Sequence, residues 1–388
     1  MCKFLHNTLA DICTNRHLNI HITIAKNISA CANNWDDFLP KGHHLKSRHL
    51  LAFENAKVDD VENNYVQVFL KDKLIGLLYL QQFSFQHKHL NFGNGSATTA
   101  KLIKCFLPAT LSILVCGHLF RINYQGFYFK EPAHRQLVFD AVKLFTQQNG
   151  KPAGIIIKDC NEVFIEQSCR LWGYRFFSGD VTMEISRRPE WFSFDDYING
   201  LHKNYRQRAK KIMAAFSYVE TKELNADEIE ANAAVINQLY WNVVNKQTIK
   251  LGTVNNRYFY ELKKDLATCF EFHALYAEGR MIGFYTFIFY EKEMETHFIG
   301  IDYEANNKYK IYFNILFLGI KKMIERRFEK LELGRTARDA KANTGALPRQ
   351  VFNYIKVKNP LADITLRHFL NRFNKAENKN LSNRNPFK

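Results

Sequence analysis

One β-hairpin pattern is written twice in this chain, and that repeat constrains the fold more than any other feature. Between Tyr65 and Phe85 two apolar runs flank the polar turn Lys71-Asp72-Lys73. Far downstream, His273 to Ala277 and Met281 to Tyr290 flank Glu278-Gly279-Arg280. Apolar runs of strand length around a short polar turn predict hairpins. The second strands open alike, Lys73-Leu74-Ile75-Gly76 and Arg280-Met281-Ile282-Gly283. A glycine inside a strand marks a bulge or the close approach of another backbone. The order downstream of each hairpin also repeats: a helix at Arg135 to Gln148 and a strand at Gly154 to Lys158, then a helix at Ile311 to Arg327 and a strand at Lys330 to Leu333. In the later helix Tyr312, Ile315, Leu316, Ile320 and Ile324 share one face. The repeated order predicts an α/β (α+β) chain of two similar domains, each a mixed sheet flanked by helices.

A chain of 388 residues, 46% hydrophobic, is long enough for two cores. The expected divisions are an N-terminal extension (1–30), a first domain (31–188), a basic junction helix (189–218), a second domain (219–373) and a flexible tail (374–388). At the junction Phe194, Ile198, Leu201, Tyr205, Ile212 and Phe216 form one apolar stripe. Lys203, Arg206, Arg208, Lys210 and Lys211 make the opposite face either a solvated surface or a phosphate-binding one.

The net charge of +16 suits polyanionic partners, whether nucleic acid, CoA phosphates or an anionic membrane surface. Eight cysteines without a CxxC pair or zinc-ligand spacing point to a reducing, cytoplasmic setting. No signal peptide is evident. The longest charge-free run, Cys105 to Phe120, is shorter than the roughly 20 residues a membrane helix needs, so no transmembrane segment is expected. His17 and His21 lack the acid of a zinc-protease motif, and no metal is expected there or at His43, His44 and His49.

Three stretches resemble the Fem-type, peptidoglycan-recognition-like branch of the GNAT acyltransferase superfamily, whose members pair two GNAT domains. They are the junction Tyr197 to Lys211 with Lys203-Asn204-Tyr205-Arg206, the hairpin Tyr276 to Tyr290, and His297 to Pro348 with Leu331-Glu332-Leu333-Gly334-Arg335-Thr336 at its centre. The resemblance implies transfer of an acyl group from acyl-CoA, or a similar activated donor, to a small-molecule amine. The chain departs from ordinary GNAT enzymes where their glycine-rich pyrophosphate loop would lie: it has Tyr303-Glu304-Ala305-Asn306-Asn307-Lys308-Tyr309. The donor is therefore open between a CoA thioester and an aminoacyl-tRNA, the latter serving a cell-wall precursor. A non-catalytic module binding anionic ligands is the third alternative.

Acyl transfer to nitrogen needs a proton acceptor and donors aimed at an oxyanion. Glu332, just before Gly334 and Arg335 at a strand end, is placed either to accept the amine proton or to pair with Arg335 or Arg338. His297 relays a proton or fills the core. Tyr303, Tyr309 and Tyr312 serve as acids, position the substrate or simply pack. Arg335, Thr336 and Lys341, with Asn307, Lys308 and Tyr309, are the candidates for holding the donor. The matching first-half strand ends in Lys158-Asp159-Cys160 and reads as chemically poorer.

Overall fold

The computed structural model describes residues 20–86, 110–161, 163–164, 172–246, 253–360, 362–364 and 384–388. His17, and most of the expected tail, lie outside these residues. Thirteen strands of the described chain make one sheet. The first half supplies β1 (Ile20–Ala25), β2 (Val61–Leu70), β3 (Lys73–Gln86), β4 (Thr110–Cys116), β5 (Phe127–Phe129), β6 (Gly154–Cys160) and β7 (Arg175–Ser186). The second supplies β8 (Glu220–Glu223), β9 (Phe270–Ala277), β10 (Arg280–Phe289), β11 (Glu293–Ile301), β12 (Lys330–Glu332) and β13 (Leu347–Val357). The helices used below are α1 (Ser47–Asn55), α2 (Phe194–Gly200), α3 (Lys203–Ala215), α4 (Tyr258–Leu266), α5 (Tyr303–Tyr309), α6 (Ile311–Glu325) and α7 (Arg338–Ala342).

Both repeated stretches are hairpins. Their two-residue turns, Lys71-Asp72 with φ of 49° and 64° and Glu278-Gly279 with φ of 52° and 74°, place both residues in the left-handed region, which matches the twist of the flanking strands. Each hairpin also carries the same bulge. Val68 pairs with Gly76 and Phe69 with Leu74, leaving Ile75 over; Gly283 pairs with Leu275 and Met281 with Tyr276, leaving Ile282 over. At Gly76 a Cβ would lie 2.3 Å from the Phe129 ring of β5, which packs against the bulge. Gly76→Ala is expected to cost about 1–3 kcal/mol through overpacking, read as a lower urea midpoint; an unchanged midpoint would show that β5 yields.

The strand order is β1-β2-β3-β4-β6-β13-β7-β12-β11-β10-β9-β8, with β5 added beside β3. Each half thus contributes four antiparallel strands and a parallel fifth, β4 against β6 and β11 against β12. The last strands are exchanged: β13 pairs with β6 of the first half, β7 with β12 of the second, and β7 with β13. The chain passes from one half to the other at Arg187 to Ser193, but the sheet does not stop there.

Three expectations need correction. Residues 1–30 are not merely an extension, because β1 pairs with β2 from Ile20↔Leu70 to Ala25↔Tyr65; its alternating Ile20, Ile22 and Ile24 carry the period of a strand. The basic junction is two helices, α2 and α3, with Leu201 extended between them (φ −71°, ψ 144°) just after Gly200, a poor helix former. The end of the expected flexible tail is anchored: Phe387 is buried 5.2 Å from Trp191 and 5.9 Å from Tyr197, ring to ring. In α6, Ile315, Leu316, Ile320 and Ile324 are buried in the second-half core and Tyr312 packs at its edge. No helix of the described residues is long and apolar enough to cross a membrane.

Candidate active site

The β11·β12 ladder is short, running from Glu293↔Lys330 to Glu295↔Glu332. Beyond it β11 continues to Ile301, whereas the chain after Glu332 follows β7 through Leu333 N–H to Met183 O, 2.9 Å. The sheet therefore opens just past Glu295 and Glu332. As register partners on adjacent strands, these two side chains share one face, about 4.8 Å apart at their backbones.

Two like charges so close cannot share one environment, and the protein gives them different ones. Glu295 meets Arg121, which reaches across from the first half and donates from Nε (3.1 Å) and Nη2 to Oε2. The Arg121 guanidinium is stacked among the rings of Phe53, Tyr124 and Tyr290 at 5.2, 4.6 and 5.1 Å. Burial alone would raise the Glu295 carboxyl; Arg121 and His297 beside it bring it down to about 2. Among the described residues no cation forms such a pair with Glu332. Burial pushes it up to about 7, against the pull of hydrogen bonds from the Thr182 hydroxyl and the Gly334 N–H (2.8 Å), with Glu295 and Glu184 adding to the rise.

Folding thus raises the proton affinity of Glu332 above the ordinary value near 4.5. The unfolded chain loses that proton first, so stability is full below about pH 4.5 and falls as pH rises towards 7. Glu332→Gln should remove this slope and gain up to about 3 kcal/mol over the parent at pH 8, with little gain at pH 4.5. Urea unfolding at the two pH values checks it; equal gains at both would mean Glu332 is ionised throughout.

Around the pair lies a cavity of about 270 Å³ between the halves, lined by Gly42–His44 and Arg121–Tyr124 from the first and by Tyr290–Glu295 and Glu332 from the second. Its lining has four carboxylates, Glu291, Glu293, Glu295 and Glu332, and two cations, Arg121 and Lys292; Glu293 is paired with Lys330 (2.7 Å) and Lys292 with Glu329 (2.9 Å), which leaves Glu291 and Glu332 as the acids of the lining without an ion pair among the described residues. In a chain of net charge +16 that local excess of acid favours a cationic guest. His43 and His44 stack at 4.4 Å in the wall, and burial with Lys46 nearby lowers His43 to about 4.

The sequence-predicted residues fall in three places. Glu332 lines the cavity, and Lys341 of α7 lies close behind, its Nζ donating to Gly334 O at 3.0 Å and lowered by burial to about 8. His297 is sealed in the interior. Its burial keeps the ring neutral, so Nδ1–H donates to Glu295 (3.2 Å) and Nε2 accepts from the Tyr258 hydroxyl (2.8 Å). It positions Glu295 and does not reach the cavity. Tyr303, Asn307, Lys308 and Tyr309 belong to α5, at the other end of β11, roughly 20 Å away by strand rise. There Lys246 covers the Tyr303 ring at 3.2 Å, Lys308 and Tyr309 bind Glu278, and the Asn307 carbonyl accepts from Lys310.

Arg335 pairs with Asp159 and Asp180 of the first half, while Thr336 is exposed beside it. The first-half strand end is accordingly richer than its sequence reads: Lys158 ties down the carbonyls of His118 (3.0 Å) and Arg121 (2.7 Å), and Asp159 holds Arg335. These contacts fix the loop that delivers Arg121. Sequence reasoning missed Arg121, Glu295 and Tyr290. A lone arginine directly after the longest charge-free run, and a Glu two residues from a His within an apolar strand, were the signals available.

A hairpin, a third strand, a helix and a parallel strand around an opening in the sheet define a GNAT-type acyltransferase fold, present here in both halves. Residues 201–342 match the family described as Acetyltransferase (GNAT) domain. The crystal structure of FemX has the same fold, with a TM-score of 0.53 at 9% identity over 88% of this chain and 99% of that one. A tandem GNAT protein from the clavulanic acid biosynthesis pathway aligns with a TM-score of 0.49 at 9% identity, over 88% of this chain and 99% of that one. Curated protein sequences give no match.

Proposed function

We propose that the protein transfers an acyl group from an activated donor to an amine seated in the cavity between its halves, with Glu332 as general base. The observation that carries this reading is the Glu295–Glu332 pair, whose environments hold one carboxylate ionised and tune the other to neutrality; such divergence separates a charge stabiliser from a proton carrier. The amine arrives as an ammonium drawn by the acidic lining. Ionised Glu332 takes one ammonium proton, the neutral nitrogen attacks the acyl carbon and forms the C–N bond, and the bond to the thiol or alcohol breaks as that leaving group carries off the nitrogen's second proton, Glu332 releasing the first to solvent. Where β11 parts from β12, backbone N–H groups lose their ladder partners and can meet the oxyanion.

The donor is read as acyl-CoA or a similar thioester. Aminoacyl-tRNA is the second reading, and the Asp302 carboxylate favours it by accepting from Glu304 N–H (2.9 Å) and Ala305 N–H (3.1 Å) at the start of α5. Those amides are taken where a CoA diphosphate would need them. The exposed basic side chains of α3, Lys203, Arg208, Lys210 and Lys211, suit the same polyanion. A mass-shift screen with a panel of acyl thioesters and charged tRNAs, each offered with mixed amines, is the test. No transferred acyl mass with any donor would sink the enzymatic reading.

A further inference from the structure

Four polar atoms in residues lining the cavity have no hydrogen-bond partner among the described residues: Arg121 Nη1, Asn123 Oδ1, Glu332 Oε2 and the Tyr290 hydroxyl. Arg121 is 2% exposed and Glu332 5%. The remaining polar atoms of both are engaged, Nε and Nη2 of Arg121 with Glu295, and Oε1 of Glu332 with Thr182 and Gly334. A buried polar group left unpaired carries its full desolvation cost, so these atoms point to a guest that answers them. Their needs are opposite. Arg121 Nη1 can only donate, and an ionised Glu332 Oε2 can only accept. A guest that satisfies both presents an oxygen to Arg121 and an N–H to Glu332, and does so within a short span, because both residues flank Glu295.

Charge narrows the choice. Glu295 already neutralises Arg121, Glu293 is paired with Lys330, and Glu291 adds acid to the lining. A carboxylate on the guest would meet that excess, whereas a neutral oxygen would not. We propose that the acceptor is a primary amine with a neutral carbonyl or hydroxyl oxygen beside it, an α-amino amide or a vicinal amino alcohol, its ammonium on Glu332 and its oxygen on Arg121 Nη1. Calling this guest the acceptor rests on the acyltransferase reading; the binding itself needs no donor.

Four compounds on one carbon frame test it: alaninamide, alaninol, alanine and isopropylamine, titrated at pH 8 and followed by NMR. Alaninamide or alaninol should bind about fivefold or more tightly than isopropylamine, the worth of one hydrogen bond, and more tightly than alanine. Whichever leads identifies the carbonyl or the hydroxyl source. Glu332→Gln, which preserves shape, should weaken all four, and Arg121→Lys should erase only the advantage conferred by the oxygen. Alanine binding best, isopropylamine binding equally well, or affinities untouched by Glu332→Gln would each overturn the proposal. If Arg121→Lys does not fold, the four-compound ranking and Glu332→Gln still decide. Amines that bind with this ranking but are never acylated would remove the enzymatic reading and leave the site; acylation without the ranking would do the reverse.

Discussion

Glu332→Gln is expected to lower turnover by about 10²–10⁴-fold, the usual contribution of a positioned general base. The parent enzyme should show kcat/KM rising with pH through about 7, because only the ionised carboxylate can take the amine proton and burial places its titration there. In the variant that limb should vanish, leaving a flat profile apart from the titration of the amine. The retained Thr182 and Gly334 partners argue against collapse of the site as the cause of any loss. Full turnover in Glu332→Gln, or the same limb near pH 7, would place the base elsewhere.

Glu295→Ala should be the most destabilising single change at the site. It leaves the Arg121 guanidinium buried without a counterion, and removing one partner of a buried pair costs about 3–5 kcal/mol. The loss should appear as a lower urea midpoint. Replacing both residues by methionine should recover most of that loss, since well-packed apolar groups substitute for a buried ion pair at little cost. A double variant as unstable as the single one would mean that the ring contacts of Arg121, with Phe53, Tyr124 and Tyr290, matter more than its charge.

The duplicated hairpin was legible because its signals are local. Turn residues, apolar runs of strand length and the glycine after Ile75 and Ile282 fix strands, turns and even the bulge from neighbouring residues alone. The opening beside Glu332 was also legible, since a strand ending in Glu-Leu-Gly has chemistry at its tip. What escaped was everything settled between the halves. No sequence spacing tells that Arg121 would cross to Glu295, or that Arg335 would be claimed by Asp159, because those contacts depend on how two sheets merge. His297 illustrates the limit: as sequence it is a neutral-pH acid–base group, and in place its burial and its bonds to Tyr258 and Glu295 make it a brace. Asn307, Lys308 and Tyr309 were candidates for holding the donor, yet Asp302 caps Tyr303–Tyr309 as a short helix that satisfies its own first amides.

Because β13 occupies the slot between β6 and β7, the ribosome must release Val357 before the first half can close its sheet. Domains that finish their pairing locally fold as they emerge; this one has to keep two strand edges unpaired while the whole second half is translated. Shielding by a chaperone during synthesis, and slow refolding of the isolated chain, are the expected results of such distant pairing.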